Sequence, residues 1–138
     1  MAFSPDGLHL AICTTSSSAH IYRRNNDVFS KVRDFSIANT YGIAFSPNGN
    51  YLAISRNDAV GVDIYRRVGE AYNKMPSLVN PLSNLSGVAF SSDSLNMVFS
   101  SLVTPYVTGY RISYDTNNLF KLPTQSVEGT GLVGWIKT

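Results

Sequence analysis

The sequence is short of several things that would mark a function. It has one cysteine, Cys13, so no intrachain disulfide can form and the redox compartment is left open. Only 14% of its 138 residues are charged and the net charge is +2, too small a bias to call for a nucleic-acid partner. No apolar run approaches the roughly 18 residues of a membrane span, and the first residues lack the charged-then-apolar layout of a secretion signal. The expectation is therefore a chain without membrane insertion that stays soluble in the cell that makes it. His9 and His20 are the only histidines. Neither has the neighbouring cysteines or acidic residues that a three- or four-donor metal site needs. No serine sits in a GxSxG elbow, and no carboxylate pair or triad can be assembled. Sustained helical spacing is missing too. What remains is 43% apolar residues in a length that suits one domain with a real core.

What the chain has in abundance is itself. "MAFSPDGLHLAICTT", "IAFSPNGNYLAISRN" and "VAFSSDSLNMVFSSL" are three versions of one phrase. Their phenylalanines, Phe3, Phe45 and Phe90, are spaced by 42 and 45 residues. Tyr22, Tyr65 and Tyr110 recur at 43 and 45, and Lys31, Lys74 and Lys121 at 43 and 47. A period in this range fits a four-stranded propeller blade. Within the second copy, Ile43 and Phe45 alternate with Ala44, "SPNGN" turns, and Tyr51 to Ser55 is β-rich. A turn follows at Asn57-Asp58, then Val60, Val62 and Ile64 line one face as far as Arg66. Gly69-Glu70 turns again, and Ala71 to Met75 begins an outermost strand. Period-two alternation broken by turn residues every 8–12 positions predicts an all-β fold. The expected organisation is a single propeller-type domain with blades at about 1–40, 41–85 and 86–128, and a surplus strand at 129–138.

The coupled register "FSPNGNYLAIS…DIYRRVGEAYNKM" resembles the WD-repeat-like β-propeller families with "FSPDG" turns. It is most similar to repeats of phage and prophage tail-associated proteins, over about residues 1–122 with an echo at 130–137. The resemblance implies a non-enzymatic virion tail or surface protein, soluble in the host cytoplasm before assembly, that docks other virion proteins or touches the host. It brings no catalytic residue and no cofactor. Periplasmic and lactonase-like propellers share similar turns, which keeps open a bacterial binding scaffold or a fragment of a longer propeller. The third copy departs from the pattern: Ser92 and Ser94 replace the proline and glycine, and "GYRISYD" replaces "IYRR". A looser turn is expected there.

Most residues that look chemical have a plainer reading. Asp6, Asn48 and Asp93 share a repeat position before the turn and are expected to cap it by bonding their own backbone. "GTGLVG" at 129–134 is a chance GxGxxG, since no helix can follow it. Cys13 reads as a small hydrophobe in the second strand. The pairs Arg23-Arg24 and Arg66-Arg67 are expected at solvated strand ends, one arginine on each side of the sheet, paired with Asp27 or Glu70. Their functional alternative is an anion-binding rim for a polysaccharide, a nucleic-acid backbone or an acidic partner surface. Most of the eight tyrosines and seven phenylalanines are expected between blades. Tyr106 and Tyr114, in the irregular third copy, are the candidates for an exposed contact surface.

Three blades are too few to close a ring, since propellers have 4–8. Two copies would give six blades, and the strand around Leu132, Val133 and Trp135 is expected to enter the blade begun by Met1 of a second copy. Alternatively, further blades belong to a longer protein.

Overall fold

The computed structural model describes residues 1–15, 18–76 and 83–112, together with the backbone of 119–121. These residues form three antiparallel four-stranded sheets, each a meander of consecutive strands. The first holds β1 (Ala2–Phe3), β2 (His9–Thr14), β3 (Ser18–Asn25) and β4 (Val28–Phe35). The second holds β5 (Thr40–Phe45), β6 (Tyr51–Arg56), β7 (Val62–Val68) and β8 (Ala71–Lys74). The third holds β9 (Leu85–Phe90), β10 (Asn96–Ser101), β11 (Val107–Ile112) and β12 (Leu119–Lys121). No helix occurs among the described residues. The all-β propeller architecture expected from the repeats is present. The expected surplus strand with Leu132, Val133 and Trp135 lies outside the described residues, as do the 129–134 glycines and Tyr114.

The three landmarks of the repeat turn out to be one cross-strand row. Phe3 pairs with Leu10, Leu10 with Tyr22, and Tyr22 with Lys31. The second sheet repeats the row as Phe45–Leu52–Tyr65–Lys74, and the third as Phe90–Met97–Tyr110–Lys121. Directly paired residues of an antiparallel ladder point to the same side. The row therefore defines one face of each blade, which carries the large side chains. The opposite face carries small ones: Ala2–Ala11–Ile21, then Ala44–Ala53–Ile64, then Ala89–Val98–Gly109.

Blades stack large face on small face. In the first seam Phe45, Leu52, Ile54 and Tyr65 of blade 2 pack on Ala11, Ala19 and Ile21 of blade 1, with Phe35 closing over them. In the second seam Met97, Phe99, Tyr110 and Ile112 of blade 3 pack on Ala53, Val62 and Ile64 of blade 2. Each fully buried large side chain contributes about 1.5–3 kcal/mol, so the seams are the cores of this protein. Near the inner strands they close tightly: a Cβ on Gly42 would lie 2.6 Å from Ser55 Oγ and 3.0 Å from the Gly87 backbone. Only glycine fits there.

The hairpin turn after each innermost strand is also repeated. Ser4 Oγ accepts the His9 amide hydrogen at 2.8 Å and donates to Asp6 Oδ1 at 2.5 Å, and that same carboxylate oxygen accepts the Leu8 amide at 2.9 Å. Ser46, Asn48 and Asn50 repeat the set, as do Ser91, Asp93 and Leu95. The capping role expected for Asp6, Asn48 and Asp93 is what they perform. The expected loosening of the third turn is corrected: Ser94 takes the left-handed φ of 62° where Gly7 and Gly49 have 69° and 74°, so the turn keeps its shape without glycine. One further expectation is corrected: Val60 is exposed in the loop before β7 rather than on its face. Most of the described tyrosines and phenylalanines lie in the seams as expected, while Phe3, Phe29 and Tyr41 are exposed.

Candidate functional site

The first seam carries a polar assembly at its hairpin end. Arg67, at the end of β7, bonds the carbonyl of Gly69 through Nε at 3.0 Å, which folds the guanidinium back over blade 1. Nη1 and Nη2 both reach Asp6 Oδ2 at 3.1 Å, and Nη2 also donates to His9 Nδ1 at 3.1 Å. Since arginine can only donate, Nδ1 must accept, and the ring proton sits on Nε2. That atom donates to Glu70 Oε2 at 3.0 Å. Glu70 in turn lies 3.8 Å from Arg23. His9 is fully buried and Arg67 is 14% exposed.

The electrostatics follow from these contacts. Burial alone would raise the Asp6 carboxyl. Hydrogen bonds from the Ser4 hydroxyl, the Leu8 amide and Arg67, with the charge of Arg67, outweigh it and hold the pKa down at about 2. The hydrogen bond from His9 holds Glu70 below its ordinary value. Beside the cluster is a cleft of about 410 Å³ lined by Pro5, Asp6, Asn48, Gly49, Asn50, Arg67 and Gly69. Chemically this is a clasp: four of the five Arg67 N–H groups are held by Gly69, Asp6 and His9 across the seam.

The four arginines expected as a pair of rims therefore separate. Arg67 is corrected from a solvated strand end to a partly buried seam residue. Arg23 and Arg66 lie on the opposite side of their sheets from Arg24 and Arg67, as the alternation predicts. Arg24 lies 3.8 Å from Asp27, the pairing expected for it. With Arg23, Asn25, Ser30 and Val32 it lines a cationic groove of about 300 Å³ on blade 1. His9, for which the sequence offers no role, is a link between two blades. Its partners were missed because they lie 58 and 61 residues away.

Two other features stand out. Asp63, 1% exposed, is held by Arg56 at 3.0 Å and Lys74 at 2.6 Å, and Arg56 also binds Asp58 at 2.5 Å. The loop between β10 and β11 presents Leu102, Val103 and Tyr106 at 65%, 44% and 51% exposure, and Val107, the first residue of β11, adds a fourth apolar side chain at 40%. Tyr106 is thus where the sequence reading puts it. Cys13 packs against the first seam core, its Sγ 3.6 Å from the Tyr41 carbonyl. Among the described residues no group of three or more His, Cys, Asp or Glu could hold a metal ion, and no helix is long and apolar enough to cross a membrane.

No family model matches the sequence. Solved structures match the fold. A Bacteroides fragilis protein provisionally named a 6-phosphogluconolactonase superposes with a TM-score of 0.74 at 15% identity, over 87% of this chain and 36% of that one. The periplasmic gluconolactonase of Pseudomonas aeruginosa gives 0.73 at 11% identity, over 91% and 38%. The β-propeller domain of Cps50 (Swd1) from Myceliophteria thermophila gives 0.67 at 14%, over 80% and 37%. The fold is a β-propeller fold, and this chain spans little more than a third of each of those chains. The expectation of a non-enzymatic protein is corrected by the two gluconolactonase likenesses: the architecture is one that enzymes carry. The physical reason is that residues far apart in sequence can form a site without leaving a local motif, so the missing triad excludes nothing.

Proposed function

We propose that this chain contributes three blades to a propeller that serves as a docking scaffold, with the loop before β11 and its first residue, 102–107, as a protein-contact surface. The carrying observation is that stretch: four large apolar or aromatic side chains stand exposed within six residues. Contiguous exposed apolar surface of this kind marks interaction sites in soluble proteins, and tyrosine binds well there because it buries area at low entropic cost. The setting on a virion tail or surface rests on the repeat resemblance. A photo-crosslinking side chain at Tyr106 is expected to capture one defined protein partner from the source organism. The adduct should vanish with Leu102→Ser and should not form from the same group at Ser30. Equal capture at both positions, or none, ends this reading.

A second reading is favoured by the likeness to gluconolactonases: the completed ring hydrolyses a sugar lactone. Hydrolysis of 6-phosphogluconolactone above the spontaneous rate by the full chain would support it.

A further inference from the structure

Each seam uses a large face and a small face, and among the described residues each end of the three-blade stack presents one of them. Blade 1 presents Phe3, Leu10, Tyr22 and Phe29, the row that is buried as Phe45, Leu52, Tyr65 and Tyr72 in blade 2. Phe3 is 58% and Phe29 40% exposed, whereas Tyr65 and Tyr72 are 6% and 3% exposed. Blade 3 presents the small set Ala89, Val98 and Gly109. The two end faces are therefore complementary in shape, which a second copy, stacked head to tail, would satisfy.

Charge at the hairpin end identifies the occupant further. Arg24, Arg67 and Ile112 are equivalent: each backbone amide bonds a hairpin carbonyl, of Leu8, Asn50 and Leu95. Their counterparts on the preceding blade are the turn residues. Arg67 faces Asp6, both charged; Ile112 has Asn48 as its counterpart, both uncharged. The remaining donor is Arg24 on blade 1, and the remaining acceptor is Asp93 on blade 3. Arg24 already holds the clasp pose, its Nε on the Asn26 carbonyl at 2.8 Å as Arg67 Nε is on Gly69. A second match exists in the same places. Glu70 of blade 2 approaches Arg23 of blade 1, and the equivalent residues at the open ends are Asp27 on blade 1 and Arg111 on blade 3. Both pairs have the required signs.

We infer that the large face of blade 1 docks on the small face of blade 3 of a second copy of this chain, clasped by Arg24 on Asp93 and Asp27 on Arg111. Two copies joined by two such seams make a six-bladed ring, within the usual size of propellers. The inference uses none of the residues 102–107, so it stands or falls apart from the docking reading.

The test is native mass spectrometry and size-exclusion chromatography with light scattering on the full chain. The unaltered chain is expected at the two-copy mass at micromolar concentration. Arg24→Asp and Asp93→Arg should each weaken assembly by roughly 10-fold or more, because each places like charges in a seam. Mixing the two variants should restore a two-copy species, since both of its seams then pair opposite charges. Far-UV circular dichroism on each variant separates lost assembly from lost folding. A folded, monomeric unaltered chain overturns the inference, as it would if further blades of the same polypeptide cover these faces. Failure of the mixture of folded variants to reassociate overturns it as well.

Discussion

Between blades 1 and 2, Arg67 spans the seam to Asp6 and closes on a buried histidine. Between blades 2 and 3, the equivalent positions are Ile112 and Asn48. Ile112 is 1% exposed within an apolar cluster, and Asn48 offers its backbone amide to Ser94 Oγ at 2.9 Å. One repeat framework therefore accepts two kinds of seam. Shape complementarity between large and small faces is common to both, and the polar clasp is a variable layer added at the rim. The difference teaches that the row Phe–Leu/Met–Tyr is what both seams share, while the charges at the rim differ from one seam to the next.

The comparison can be broken first through the shared part. Phe99→Ala removes a ring 1% exposed that packs edge-on to Tyr110 at 5.7 Å. It should destabilise by about 3–5 kcal/mol, read as a fall in the urea midpoint. Arg67→Ala touches only the clasp and leaves His9 and Asp6 without their shared donor. About 2 kcal/mol is expected, below the range for fully buried pairs because Asp6 is 39% exposed. Grafting the clasp into the second seam sharpens the contrast. Asn48→Asp and Ile112→Arg should each be unfavourable alone, and the double variant should recover about 1–2 kcal/mol relative to their sum in a mutant cycle.

Acid should act unequally on the two seams. Asp6 has its folded pKa depressed from 3.8 to about 2, so its contribution is present above 3.8 and is lost as pH falls from there through 2. After discounting for exposure this amounts to about 1 kcal/mol. Asp6→Asn should abolish that part of the acid dependence, as measured by denaturation midpoints between those pH values. The smallest effect is expected at Tyr106→Ser, about 0.5 kcal/mol or less on stability, with its consequence confined to partner capture.

How much of this was legible follows from distance along the chain. The strands, the turns and the caps at Asp6, Asn48 and Asp93 depend on contacts within a few residues, so period-two alternation and turn chemistry expose them. The solvent side of blade edges was also readable, as Arg24 and Tyr106 attest. The seam cluster was not, because Asp6 and Arg67 are 61 residues apart and nothing local distinguishes Arg67 from Arg24. A signal did exist: the charge of the turn residue and that of the arginine position change together from seam to seam. Reading it requires knowing that one repeat stacks on the turn of the one before. The looser third turn was misjudged for a different reason. Glycine is the cheapest residue for a left-handed backbone, but Ser94 adopts it with its amide on the Ser91 carbonyl and its Oγ accepting the Asn48 amide, both at 2.9 Å.

The changing clasp also bears on how such a chain avoids folding into the wrong order. Repeats this alike invite misassembly, a characteristic failure of repeat proteins. If blade 3 stacked on blade 1 in place of blade 2, Ile112 would arrive opposite Asp6, and the buried His9 Nδ1 would lose its Arg67 donor. An unsatisfied buried polar group costs about 1–3 kcal/mol. The rim charges thus act as a proofreading step on blade order, rejecting a neighbour whose shape fits but whose place in the series is wrong.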